Sequence, residues 1–391
     1  MLTRRLFLKS SALIGCSAAA SPWLSSAAFA SAPGDNRLVI IILRGAMDGL
    51  DVFQPYGDRD LAGLRRTLSL GPDRNATDLD GFFALHPALS PLLPLWNAGQ
   101  LSFAPAVSTP YRDKRSHFDG QDMLEAGTGT DLETEAQQDG WLNRLLQQMP
   151  GQDSETAYSV AAAQMRILQG AAPAKSWTPR AIMDLSPQAQ LLLTQIYHED
   201  PLFRDASQQA MEIVAGLSPG ITSTRNGEEH LELARFAADR LNGATRIASF
   251  SLPGWDTHVR QTNGLTRALT RLSDTILTLK ADLGRNWERT TIMAMTEFGR
   301  TVRENGSGGT DHGTGGAMLV AGGAVRGGRA LGDWPGLSEG DLYAGRDLMP
   351  LRDIRAYAAW AMHAKFGIPK AVLEGAVFPG LDMGPDPRLL A

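Results

Sequence analysis

The residues of this chain best suited to chemistry are carboxylates and imidazoles that recur in close pairs. Asp48 and Asp51 stand in Arg44-Gly45-Ala46-Met47-Asp48-Gly49-Leu50-Asp51, and Asp256 and His258 in Gly254-Trp255-Asp256-Thr257-His258. Asp311 and His312 adjoin in Gly309-Thr310-Asp311-His312-Gly313. Two residues apart in an extended segment, Asp256 and His258 share a face. The adjacent Asp311 and His312 can converge because glycines flank them. Such oxygen and nitrogen donors suit one or two divalent ions, Zn²⁺ or Mn²⁺. Glu297, in Thr296-Glu297-Phe298-Gly299-Arg300, is a further candidate ligand. Each pair read singly is more often a solvated turn; the recurrence at several strand ends points to a site.

A second kind of chemistry centres on Ser116 and His117, in Arg112-Asp113-Lys114-Arg115-Ser116-His117-Phe118-Asp119. Ser116 reads as a helix N-cap, where backbone donors favour an anion. A hydroxyl beside a metal can act as a nucleophile without a neighbouring base. Ser116 and His117 are therefore the catalytic candidates, and Arg44, Arg115 and Arg300 the candidates for holding an anionic substrate. Two plainer readings stay open: Ser116 as an N-cap on a solvated basic turn, and Arg300 as a tie between Glu297 and nearby aspartates. There is no P-loop or dinucleotide fingerprint.

Buried strands must carry these loops. Leu38 to Leu43 is a continuous apolar, largely β-branched run, which predicts a central strand covered on both faces. Leu101–Val107, Arg246–Leu252, Thr290–Met295 and Ala317–Ala321 read as further strands, and a helix starts at Ser116. More helices are expected over Trp141–Met149, Gln188–His198, Glu228–Asn242 and Leu265–Leu283. The alternation predicts an α/β fold: a mostly parallel central sheet with helices on both faces, and the site beyond the strands' carboxyl ends. His86, His198, His230 and His363 read as structural or exposed.

The chain opens with a charged segment containing Arg4, Arg5 and Lys9, then a mildly apolar stretch ending Ala28-Phe29-Ala30, and has no acid before Asp35. This predicts a twin-arginine leader over residues 1–30, cleavage before Ser31, and a single exported domain over 31–391. The Tat translocase is then a transient partner, and the destination is the periplasm or beyond. Leu13-Ile14-Gly15-Cys16 also has the form of a lipobox, and membrane attachment follows only if Cys16 is lipidated. Cys16 is the only cysteine, so beyond the leader there is no disulfide and no sulfur ligand. Subtracting Arg4, Arg5 and Lys9 takes the formal charge from −5 to −8. So acidic a domain, with no basic tail, excludes nucleic acid as an expected partner.

Together the five motifs resemble a bacterial Tat-exported family, domain of unknown function 1501, which belongs to the alkaline phosphatase-like/sulfatase superfamily. They are the segments around Asp48, Ser116, Asp256, Glu297 and Asp311. The resemblance runs in order over essentially the whole chain after the leader and implies an alkaline phosphatase-like fold. It implies Asp48 as a metal ligand after the first strand and Ser116 as nucleophile. It implies Asp256 with His258 at one metal, and Asp311 with His312 at another. Two departures leave a single-metal site, or one completed by Glu297, equally open: Asp256 and His258 are two apart rather than four, and no final metal-binding histidine is recognisable. With no cysteine at the nucleophile position, formylglycine chemistry is excluded. The resemblance implies an exported metal-dependent hydrolase acting on an anionic small molecule or polymer, a phosphate ester before a sulfate ester. The alternative is a non-catalytic exported protein of the same fold that binds a polysaccharide or a protein partner.

Overall fold

The computed structural model describes residues 27–31, 34–69, 71–129, 139–149, 165–172, 174–177 and 228–390. Arg4, Arg5, Cys16 and the helix expected over Gln188–His198 lie outside the described residues. Eleven strands occur among those described: β1 (Ala27–Ser31), β2 (Arg37–Arg44), β3 (Phe53–Gln54), β4 (Thr77–Asp78), β5 (Ala84–Leu85), β6 (Leu101–Ser108), β7 (Lys175–Trp177), β8 (Thr245–Pro253), β9 (Thr290–Met295), β10 (Gly316–Ala321) and β11 (Arg352–Asp353). Eight form the main sheet in the order β11-β6-β10-β9-β2-β8-β1-β7; β3, β5 and β4 make a small antiparallel sheet.

Strand β2 lies at the heart of the main sheet, parallel to β8 and to β9, with Ile40 opposite Ser249 and Met293. Its apolar run works on both faces. Val39, Ile41 and Leu43 enter one core and Leu38, Ile40 and Ile42 the other, all fully buried. Each such side chain contributes roughly 1.5–3 kcal/mol by leaving water. Helices α4 (Glu229–Asn242) and α5 (Gln261–Leu283) cover the first face through Leu233, Phe236, Leu269 and Ile276. The second is covered by α3 (Trp141–Gln147) and α6 (Ile354–Phe366) through Trp141, Leu145, Tyr357 and Met362.

The expected α/β architecture is present, with strands running mostly one way. Only β10 and β1 oppose the rest. The β9–β10 connection, residues 296–315, contains no helix, so the chain returns antiparallel instead of crossing over. β1 pairs with both β8 and β7. Cleavage before Ser31 would remove all of β1 but its last residue. Among the described residues no helix is long and apolar enough to cross a membrane.

Candidate metal centre

Four loops at the carboxyl ends of parallel strands meet at one point. The turn after β2 comes within backbone contact of the turn after β8. Gly45 has φ +122°, and a Cβ there would stand 2.5 Å from Asp256 N, so glycine is required on both counts. Trp255, fully buried, anchors the β8 turn by donating from Nε1 to Leu252 O. The glycine-rich loop after β9 packs against the same turn: a Cβ on Gly309 would lie 2.4 Å from Thr257 O and His258 O. The fourth loop, after β6, leads into α2 (His117–Ala126). Ser116 caps that helix, its Oγ accepting from Asp119 N at 3.3 Å, while its own N–H donates to the Tyr111 hydroxyl at 2.7 Å. His117, the first helical residue, stacks on Phe298 with centroids 5.2 Å apart.

Three imidazoles surround one carboxylate oxygen. Asp256 Oδ1 lies 3.0 Å from His258 Nε2, 3.4 Å from His117 Nε2 and 3.4 Å from His312 Nε2. His258 Nε2 and His312 Nε2 are 2.8 Å apart. Donors held at metal–nitrogen distances of 2.0–2.1 Å around a tetrahedral ion stand about 3.3 Å from one another, so the spacing suits one Zn²⁺-sized cation. His117, Asp256 and His312 in particular offer ligand atoms all within 4.8 Å of each other.

The outward nitrogens fix how these rings face inward. His117 Nδ1 meets Glu297 Oε1 at 2.8 Å, His258 Nδ1 meets Asp311 Oδ1 at 3.2 Å, and His312 Nδ1 meets Arg115 O at 2.8 Å. An ionised carboxylate or a carbonyl only accepts, so each Nδ1 carries a proton there, which turns each Nε2 to the centre. This is the outer support that metal-binding histidines have. His117 Nε2 is buried and faces Asp256 Oδ1 at a long 3.4 Å. Converging lone pairs and carboxylates demand positive charge. Burial works to lower the His117 pKa, but hydrogen bonds with Asp256 and Glu297 outweigh it and raise it to about 9 when no ion is present. Burial likewise opposes ionisation of Asp256, yet hydrogen bonds with His117, His312 and Arg300 hold it far below the usual carboxylate range. The Glu297 carboxyl is held down in the same way, against burial, chiefly by His117. The donors of His117, Asp256 and His312 would suit a divalent cation, with His258 Nε2 adjoining Asp256 Oδ1.

Several residues have roles other than those expected from sequence. His117, expected to be catalytic, joins the donors. Glu297 and Asp311, expected as ligands, stand behind them. Asp48 is not brought to the cluster: Arg65 grips it bidentately at 2.5 and 3.0 Å, and Gln261 donates to it at 2.5 Å. A guanidinium thus supplies the positive charge that the resemblance assigns there to a metal. Asp51, fully buried beside it, has its pKa pushed up by burial and by the charge of Asp48. Arg300 is buried, donating to the carbonyls of Ala46, Thr310, Gly45 and Trp255 and to Asp256 Oδ1 at 2.6 Å. It ties the loops together and aims Asp256, so its donors are not offered to a substrate. Arg44 pairs with Glu125 and Gln121. Of the three arginines, only Arg115 keeps an exposed side chain. Of the histidines read as structural, His86 accepts from Ala88 N and His363 Nδ1 meets Ile368 O; His198 lies outside the described residues. The roles of Arg65, Tyr111 and Gln261 were not legible in the sequence, because no local pattern singles them out.

No curated protein matches the sequence. Among solved structures, the fold is similar to the integral membrane protein lipooligosaccharide phosphoethanolamine transferase A from Neisseria meningitidis, with 10% identity and a TM-score of 0.32. That similarity covers 82% of this chain and 55% of the transferase, so this chain spans about half its length. The sequence also matches the profile of the family described as protein of unknown function (DUF1501) over residues 69–373, well over half its length, and the chain belongs to that family.

Proposed function

We propose that this protein is an exported, metal-dependent hydrolase of phosphate or sulfate esters. The observation that carries this reading is the convergence of three Nε2 atoms on Asp256 Oδ1, each ring held from behind through Nδ1. His117, Asp256, His258 and His312 would hold one cation, Zn²⁺ ahead of Mn²⁺ because three of the four donors are imidazoles. When bound, such a cation supplies Lewis acidity toward an anionic ester oxygen. Ser116 lies between Arg115, whose carbonyl supports His312, and His117. Its Oγ would attack phosphorus or sulfur, the alcohol would leave with a proton, and water would then cleave the seryl ester. Arg115, beside the N-terminus of α2, would meet the anionic group.

A second reading, an exported binder of a polysaccharide or protein, is favoured by the engagement of Arg44 and Arg300 in internal bonds. Turnover of aryl phosphate and aryl sulfate by zinc-loaded protein separates the two. Hydrolysis that disappears in Ser116→Ala while zinc is retained supports the enzyme. Undiminished hydrolysis in that variant removes Ser116 as nucleophile, and no hydrolysis by loaded wild type favours the binder. The export part of the proposal predicts that Arg4→Lys with Arg5→Lys leaves the protein in the cytoplasmic fraction; unchanged export would contradict it.

A further inference from the structure

The loops that carry the metal donors share a fixing point outside the centre. Gln261, the first residue of α5, is fully buried, and its side-chain amide makes hydrogen bonds in two directions. Its Nε2 donates to Asp48 Oδ2 at 2.5 Å and Asp51 Oδ2 at 2.9 Å. Its Oε1 accepts from Thr257 Oγ1 at 3.0 Å and Thr310 Oγ1 at 2.7 Å. Thr257 lies between Asp256 and His258, and Thr310 immediately precedes Asp311 and His312.

The chemistry of this position is restrictive. The side chain must donate twice toward carboxylates and accept twice from hydroxyls, which an amide of this length does. A glutamate would add a third carboxylate to a buried pair that shares one guanidinium. A methionine would leave buried oxygens unpaired, a costly outcome. The backbone reinforces the join: Gln261 N donates to Gly308 O at 2.8 Å, Arg260 N to Ser307 O at 3.1 Å, and Thr310 N to Thr257 O at 3.2 Å. Beneath it, Arg65 holds Asp48 and donates to Val302 O and Thr301 O at 2.8 Å each.

We propose that Gln261 is a positioning residue of the metal centre, locking the Asp256–His258 loop and the Asp311–His312 loop to each other and to the Asp48–Arg65 pair. It touches none of the donors. Its effect is to keep His258 and His312 in register around Asp256 before a cation arrives. This role rests on the metal-centre reading above.

The decisive variant is Thr257→Val with Thr310→Val, which removes the two hydroxyls from Gln261 and leaves the buried carboxylates paired. Gln261→Met is the direct counterpart, though it places unpaired oxygens in the core and risks misfolding. Zn²⁺ affinity is read by competition with a chromophoric chelator, and donor geometry by the visible bands of Co²⁺-loaded protein. Hydrogen exchange is followed in residues 255–261 and 305–313. The valine pair is expected to bind Zn²⁺ about 10–100-fold more weakly, as losses of outer support do. Its cobalt bands should change and both segments should exchange faster, while Thr257→Ser with Thr310→Ser stays near wild type. A folded valine pair with wild-type zinc affinity and exchange overturns the proposal while leaving the metal centre intact. A wild type that takes no zinc overturns both together.

Discussion

At the scale of single residues, the centre depends on which nitrogen of each histidine is committed outward. Glu297 shows this most clearly. It is buried, receives Gly45 N at 2.9 Å and Gln121 Nε2 at 3.1 Å, and fixes the His117 tautomer. Glu297→Gln keeps the shape but weakens that fixation, and zinc affinity measured by competition should fall about 10–100-fold. An unchanged affinity would mean that His117 needs no orientation. The raised pKa of His117 gives a second test. In metal-free protein a folded pKa of about 9, against 6.5 unfolded, makes a stabilising contribution that is full below 6.5 and lost as pH rises through 9. Zinc reverses the sign, because it competes with protons for the same nitrogens and its stabilisation grows as pH rises. Melting curves between pH 6.5 and 9 should therefore slope oppositely with and without zinc, and parallel slopes would contradict the assignment. Asp256, His258 and His312, singled out in the sequence, do converge in the structure, but sequence reveals which loop a residue occupies, not which atom it meets. Glu297 and Asp311 meet the outward nitrogens of His117 and His258, and Asp48 meets Arg65, partners that no local pattern in the sequence announces.

At the scale of elements, the strands were legible because burial on both faces leaves an uninterrupted apolar run. The strand expected over Leu38–Leu43 spans Arg37–Arg44, and that over Thr290–Met295 has those same limits. The start of α5 was less legible. Its apolar stripe begins at Leu265, whereas the helix starts at Gln261 after Arg260 in a left-handed conformation with φ 49°. That first turn is held by polar contacts to other loops, which leave no periodic trace. Two substitutions separate scaffold from site. Ile40→Ala, in the middle of β2, should cost about 2–5 kcal/mol of stability in denaturant unfolding while zinc stoichiometry is kept. Gly45→Ala forces a side chain into a left-handed position against Asp256 N. It should cost about 1–3 kcal/mol and also weaken zinc binding, because the Asp256 turn must shift. Equal zinc binding in both variants would show that the β2 and β8 turns are not coupled.

At the scale of the whole molecule, strand order converts distant sequence into one site. β8, β2 and β9 are adjacent and parallel, so the turns after them, which follow Pro253, Arg44 and Met295 in the chain, open on the same edge. Antiparallel β10 then returns the chain from the glycine-rich loop into the sheet. The family resemblance read from five motifs agrees with the family profile that the chain matches, and the mixed sheet agrees with the expected fold class. What sequence could not supply was the number of cations, because that turns on Arg65 occupying Asp48. One cation is expected. Zinc that binds only the folded protein stabilises it by about 2.7 kcal/mol at a hundred times its dissociation constant, so loading should also raise the melting temperature. The most direct test is the metal content of purified, zinc-reconstituted protein after removal of loosely bound ions. The predicted result is one zinc per chain, lost in Asp256→Ala and in His312→Ala but retained in Asp48→Asn. Folded, monodisperse wild type that holds no zinc, or two zincs with one lost in Asp48→Asn, would contradict it.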